Sequence, residues 1–190
     1  MPYSAELVMS MPKLFRYEWI IEKTTATGFL NANRMPMKAH EQILIFYKNL
    51  PTYNPQKTYG HQPTHSFVKK RSDGSNYGKT SLGISGGGDT DRFPRDILKF
   101  SWDTQTSKLH PTQKPLAATE YFIKTYTNVD DVVLDCCMGS GTCGVASANL
   151  DRKFVGIEKD SKWFNIASDR INDAYKKHNE PSITNILSGR

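Results

Sequence analysis

Two carboxylates and a glycine turn are the residues best placed to do chemistry. The apolar, strand-forming run Val132-Val133-Leu134 ends on Asp135, and Gly139-Ser140-Gly141 then opens a small-residue helix at Thr142. A second short run, Phe154-Val155-Gly156-Ile157, ends on Glu158. Strand, turn, helix and strand make one βαβ unit whose turn lets backbone N–H groups approach a ligand closely. The second carboxylate can accept hydrogen bonds from a ribose, so the pattern points to a nucleoside-containing cofactor. Gly139, Gly141 and Gly144 also satisfy the G-x-G-x-x-G of a nicotinamide dinucleotide site. In that site the turn follows its strand directly, whereas Asp135-Cys136-Cys137-Met138 intervenes here, which makes it the lesser reading.

A second set of residues suits a polyanion. Tyr53, Tyr59, Phe67 and Tyr77 alternate with Lys57, Lys69, Lys70, Arg71 and Lys79. Cations interleaved with flat rings supply phosphate contacts and base stacking, and those five cations are the candidate nucleic-acid-binding residues. The charge balance agrees. Residues 1–110 carry 15 Lys+Arg against 9 Asp+Glu, while residues 111–190 carry 10 against 10, so the net +6 lies wholly outside the cofactor unit. A solvated basic surface would show the same excess, and charge alone does not separate the two.

Around these residues the chain supplies positioning elements. Residues 4–11 form a short helix candidate. Phe15–Lys23 and Glu41–Lys48 read as strands, able to pair antiparallel at a sheet edge. From about Leu50 to Ser107 periodicity is lost among Gly, Pro, Ser, Thr and Asn, a length that favours a functional insertion. His110-Pro111-Thr112-Gln113-Lys114-Pro115 is a polar turn bracketed by prolines, the second suited to the first turn of the helix that carries Leu116, Phe122, Ile123 and Tyr126. Trp163, Ala167, Ile171 and Ala174 mark an amphipathic helix, and the tail from Pro181 has no pattern. A chain of 190 residues suits one compact α/β domain. Without a long apolar run or a basic-apolar leader, a soluble cytoplasmic protein with no membrane partner is expected. The 3 cysteines, at 136, 137 and 143, lack metal-ligand spacing; no metal and reduced thiols are expected.

These motifs, in this order, resemble the β-class amino-methyltransferases of DNA. The resemblance rests on His110–Pro115, on Leu134-Asp135-x-x-Met138-Gly139-Ser140-Gly141-Thr142 and on Gly156-Ile157-Glu158. It continues through Tyr17-Glu18-Trp19, His40–Leu44, Tyr53–Gln56 and Arg92–Arg95, covering roughly residues 10 to 172. It implies a partial Rossmann-like methyltransferase sheet, α/β in class, in a single domain over 1–190. Residues 54–107 would be a target-recognition insertion and 110–175 the cofactor part. The implied cofactor is S-adenosylmethionine and the implied partner double-stranded DNA, methylated on an exocyclic amine, adenine N6 favoured. His110, Thr112, Lys114, Asp135, Gly139, Ser140, Gly141, Thr142 and Glu158 are then the cofactor-binding residues. Glu158 would hold the ribose, and Asp135 would face the cationic amino end.

Two departures qualify the match. Cys136-Cys137 stands where the family has Pro-Phe. The family also orients its target amine with an Asp/Asn/Ser-Pro-Pro-aromatic motif. The 10 prolines here lie at 2, 12, 36, 51, 55, 63, 94, 111, 115 and 181, no two adjacent, so the catalytic residues are unassigned. Pro2-Tyr3 matches the motif's tail but lies too near the Phe15 strand by family spacing. The expectation is a chain that starts after the catalytic strand and its neighbour, leaving two strands of the middle of the sheet unsupplied. Such a chain would act with a complementing subunit or a second copy, or persist as a non-catalytic remnant that binds DNA or cofactor.

The basic stretch generates a first prediction. Replacing Lys69, Lys70 and Arg71 together by Ala should flatten the dependence of log DNA affinity on log salt by about 2–3 units, near one for each phosphate no longer neutralised. Titration of a labelled duplex at several salt concentrations reads it, and an unchanged slope would assign the cluster to solvated surface.

Overall fold

A computed structural model describes residues 2–68, 85–101 and 113–179. Helix α1 (Pro2–Ser10) leads into β1 (Phe15–Thr27), a 3₁₀ turn (Phe29–Asn31) and β2 (Lys38–Phe46). Two short strands, β3 (Phe67–Val68) and β4 (Ser85–Gly86), precede β5 (Ile97–Phe100). Then follow α2 (Leu116–Tyr126), β6 (Val132–Asp135), α3 (Thr142–Asn149), β7 (Lys153–Gly156) and α4 (Ser161–Asn179). His110, Thr112, Lys69, Lys70, Arg71, Lys79, Tyr77 and the tail from Pro181 lie outside the described residues.

The chain divides into two compact units, residues 1–54 with 95–190, and residues 55–94. In the larger unit the sheet comes in two pieces. One has the order β2-β1-β5, with β1 antiparallel to β2 and parallel to β5; the other is the parallel pair β6-β7. The partial α/β sheet is thus as expected, with one correction. Ile97-Leu98-Lys99-Phe100 falls where the sequence shows no period, yet it forms a strand paired from Ile20↔Ile97 to Lys23↔Phe100. Four residues among loops are too few to show a period, and it is the hydrogen-bonding edge of β1 that orders them. Pro115 also sits one step earlier than expected: it caps α2, extended at φ −60° and ψ 128°.

Helix α2 packs its aromatic face on the three-stranded sheet. Trp19 is 4% exposed, with its ring edge-on to Tyr121 and Phe122 at 6.0 and 5.7 Å. Its indole N–H donates to Tyr126 Oη at 2.7 Å, and the Tyr17 and Tyr126 hydroxyls pair at 2.9 Å. Burial, the first cause, together with the Tyr17 bond, raises the Tyr126 hydroxyl's pKa far above the ordinary tyrosine value. It stays protonated. Asn54 closes the far end of α2: its amide donates to the carbonyls of Lys124 and Thr127, and its own N–H to Thr125 O at 2.7 Å.

The β6-β7 pair is covered on one side by α3 and α4. Ala146, Ser147, Ala148 and Ala167 are fully buried, small enough to let the helices and strands approach. Its other face is open: Val132, Leu134, Val155 and Ile157 are exposed at 61, 64, 50 and 55%. In the smaller unit β3 pairs antiparallel with β4, and Thr58 and Arg92 form an antiparallel bridge. The Arg92 guanidinium donates to the carbonyls of Asp89, Asp91 and Gln62. Among the described residues no helix is long and apolar enough to cross a membrane.

Arg152 locks the connection into β7. It is 9% exposed, donating from Nε to Thr127 Oγ1 at 3.0 Å and from Nη2 to Thr127 O at 2.9 Å. Arg152→Ala leaves Thr127 Oγ1 without its donor and Thr127 O with the Asn54 amide alone, and should cost about 1–3 kcal/mol. Urea unfolding should show it as a lower midpoint at unchanged slope.

Candidate functional site

The site is built at the carboxyl ends of β6 and β7. Asp135 is the last residue of β6, opposite Gly156 in the parallel register, and Glu158 follows β7 by two residues. Between them the chain turns through Met138–Gly141. Met138 N–H donates to Ile157 O at 3.0 Å and Ile157 N–H to Asp135 O at 2.9 Å, so the turn extends the ladder beyond the strands. Gly139 and Gly141 have φ of 52° and 79°, the left-handed region that glycine enters without strain. Gly141 also has no room for a side chain, since a Cβ there would lie 2.9 Å from Ala167 Cβ. A Cβ at Gly156 would meet Met138 Sδ at 2.3 Å and the Phe154 ring at 2.6 Å, so a side chain there would displace both.

Glu158 is locked to this turn. Its Oε2 accepts Gly139 N–H at 2.8 Å and its Oε1 accepts Asp160 N–H at 3.0 Å. The Asp160 bond, then the Gly139 bond, hold its pKa below the usual glutamate value. Each oxygen keeps a lone pair for a ligand hydroxyl. Asp135 Oδ1 accepts Cys137 N–H at 3.0 Å. Arg170 of α4 donates to Ser140 O, fixing the turn from behind.

Asp135, Glu158 and the turn enclose a cleft of about 410 Å³. Lys114, Asp135, Gly139, Ser140, Thr142 and Glu158 all line it, so six of the nine expected cofactor residues share one cavity. Gly141 lies in the same turn behind the wall; His110 and Thr112 are not described. Thr142 Oγ1 is buried in the wall with no hydrogen-bond partner among the described residues. Lys114 donates to Glu41 Oε2 at 2.6 Å, and Glu41 also faces Lys23 at 3.7 Å, so the cation at the cleft rim is tied to β2.

The wall also holds residues that sequence reasoning missed. Gln113, Thr119, Cys137, Met138 and Cys143 complete the cleft. Gln113, 8% exposed, sits inside the proline-bracketed motif, which was the available signal. The three cysteines are free thiols; burial raises Cys143 to about 11, and a hydrogen bond with Cys136 is the main cause of a raised Cys137 pKa.

Of the expected DNA-binding cations only Lys57 is described. It pairs with Asp91 at 2.8 Å and lies over the Phe93 ring at 4.2 Å, within the smaller unit. Among the interleaved aromatics, Tyr53, Tyr59 and Phe67 are exposed, and the Tyr53 ring also lies 6.0 Å from that of Tyr126.

The DNA methylase family model, which covers N6 and N4 methylases, matches residues 6–169. The chain is 37% identical over 87 residues to the type II methyltransferase M2.MboI of Moraxella bovis, a match spanning 44% of this chain and 32% of that protein. It is 44% identical over 63 residues to the type II methyltransferase M2.LlaDCHI of Lactococcus lactis subsp. cremoris, spanning 33% of this chain and 23% of that one. These matches span about a third or less of the curated relatives' lengths. Among solved structures, an M1.HpyAVI–SAM complex superposes with a TM-score of 0.60 at 24% identity, covering 90% of this chain and 70% of that one. The cytosine-N4-specific PvuII DNA methyltransferase superposes at 0.62 and 16% identity, covering 94% and 63%. At these identities the two structures establish a shared fold.

The Glu158 geometry sets a pH dependence. Because its folded pKa is depressed, its contribution is fully present above the ordinary value near 4.5 and is lost as pH falls through the lower folded value. Glu158→Gln should therefore lose stability less steeply than the parent below pH 4.5. Thermal melts across that window check it; parallel curves would mean that the two amide bonds do not bias the carboxylate.

Proposed function

The chain belongs to the DNA methylase family, and from that premise we propose that it transfers a methyl group from S-adenosylmethionine to an exocyclic amine of a DNA base, adenine N6 favoured. The observation that carries this is the cleft itself: two carboxylates on neighbouring parallel strands, joined by a glycine turn whose amide one of them holds. The residues fit the donor. Glu158 has lone pairs free for ribose hydroxyls, Asp135 is a carboxylate suited to a cationic amino group, and Thr142 Oγ1 is a buried polar atom without a partner among the described residues. Bound there, S-adenosylmethionine supplies a methyl group activated by a sulfonium. This chain's residues bind and orient that donor, and lining by Met138 and Cys143 lowers the local dielectric.

The target amine needs its own orienting group, and no two prolines of the sequence are adjacent. We therefore assign the Pro-Pro-aromatic segment to a complementing polypeptide stretch. An apolar cavity of about 420 Å³ supports this reading, bounded by Gln42 and Ile43 of β2, by Val133 of β6 and by Phe122 of α2. Along the described chain β2 and β6 each have a sheet partner on one side only, which leaves hydrogen-bonding edges for added strands. A chain that binds donor and DNA without transferring methyl groups is the second reading, favoured by the same proline spacing.

Calorimetry and tritiated-methyl transfer to mixed-sequence DNA test the proposal together. S-adenosylmethionine should bind in preference to NAD, and Glu158→Ala should weaken it roughly ten- to a hundred-fold, as for removal of a charge-assisted hydrogen bond. Transfer by the chain alone should stay far below about 1 s⁻¹ and rise when a Pro-Pro-aromatic segment is added. Equal affinity for NAD would sink the donor assignment. Full turnover by the chain alone would place the amine-orienting group within it.

A further inference from the structure

We infer that the tip of the β1–β2 hairpin, residues 28–37, is a DNA-contacting wedge, with Phe29 and Leu30 entering a base step and Arg34 and Lys38 lying on the flanking phosphates. The choice of DNA as partner rests on the methyl-transfer reading; the wedge itself rests on the arm.

Every residue from Thr27 to His40 is exposed. Among them are Phe29 at 78%, Leu30 at 97% and Met35 at 58%. Single exposed apolar side chains are ordinary, but several on one short tip mark a contact surface. The tip is also ordered by its own backbone: Asn31 N–H bonds Gly28 O at 3.0 Å, Ala32 N–H bonds Phe29 O at 3.0 Å, and Arg34 and Met35 N–H bond Asn31 O at 2.9 and 3.0 Å. With those polar groups satisfied, the turn presents Phe29 and Leu30 outward as a preformed apolar edge.

The charge says what the edge meets. Beyond Lys23, which faces Glu41 at the base, residues 24–40 carry Arg34 and Lys38 and not one Asp or Glu. A polyanion is the complementary partner, and a second copy of the same basic arm is not. Position narrows it further. The base of the arm is joined to the cleft rim through Lys23, Glu41 and Lys114, and Lys114 lines the cleft with Asp135 and Glu158. The tip therefore projects from the rim at which a DNA base must arrive. Apolar wedges beside cations are how proteins unstack a base step and hold the bent duplex. Asn31 and Asn33 place amide donors and acceptors beside the wedge, a match for base edges that a lipid surface does not require.

The test separates wedge from phosphate contact. The full chain is titrated against a duplex carrying 2-aminopurine, without donor, at several salt concentrations. Phe29→Ser/Leu30→Ser should lower affinity roughly tenfold at fixed salt, leave the salt slope unchanged and abolish the fluorescence rise that reports unstacking. Arg34→Ala/Lys38→Ala should flatten the slope by about 2 units. Both pairs are exposed, so circular dichroism should show parental folding. Failure of the parent chain to bind DNA, or parental affinity and fluorescence in the serine variant, would overturn the wedge. So would binding to phosphatidylglycerol vesicles, or self-association, that the serine variant loses while DNA binding persists. Loss of S-adenosylmethionine binding with DNA binding intact would count against methyl transfer alone.

Discussion

The bond from Gly139 N–H to the Glu158 carboxylate is the contact on which the site depends. It joins the turn after β6 to the residue after β7, and so converts two short strands into a walled cleft. Glycine enters the left-handed region at 139 and 141 without strain, and the bare Cα at 156 lets Met138 lie across β7. It also keeps a carboxylate ionised at the cleft mouth, because two backbone N–H groups stabilise the charged form. Arg170 and Ala167 of α4 press the turn from behind, so the cleft's shape is set by helix packing as much as by the strands.

Helix α2 is the joint between the two pieces of sheet. Its aromatic face meets Trp19 and Tyr17, its last turn is closed by Asn54, and the Thr127 that follows it is held by Arg152. These contacts are polar groups satisfied inside an aromatic packing, which fixes one arrangement more sharply than area alone. They leave an opening. The cavity between β2 and β6 and the bare face of Val132, Leu134, Val155 and Ile157 are apolar surface of a kind that sheets ordinarily cover. The proposed split of labour follows from this: the chain holds the donor, while strands from a complementing segment complete the sheet and orient the amine.

The proposed wedge gives Arg34 and Lys38, two of the cations of residues 1–110, a role in DNA contact. Part of that charge is internally spent, as Lys57 on Asp91 and Lys114 on Glu41 show. The arm adds exposed apolar side chains on a backbone bonded to itself. The proposed wedge would add a nucleic-acid contact earlier in the chain than the basic stretch around Lys69, Lys70 and Arg71.

The sequence by itself determined the βαβ unit, its glycine turn, the two strand-end carboxylates and the helices at Leu116 and Ser161. Each is encoded locally, by hydrophobic period and by the conformational freedom of glycine. The family too was legible in the order of its motifs. What only the tertiary structure decided is pairing and burial. Ile97–Phe100 became a strand because β1 offered it an edge, and Gln113 entered the cleft wall because α2 packs where it does. Tyr53 came to lie beside Tyr126, Lys57 met Asp91, and Phe29 and Leu30 stayed in water. Those outcomes hang on contacts between residues far apart in the chain, and no local pattern carries the identity of a distant partner.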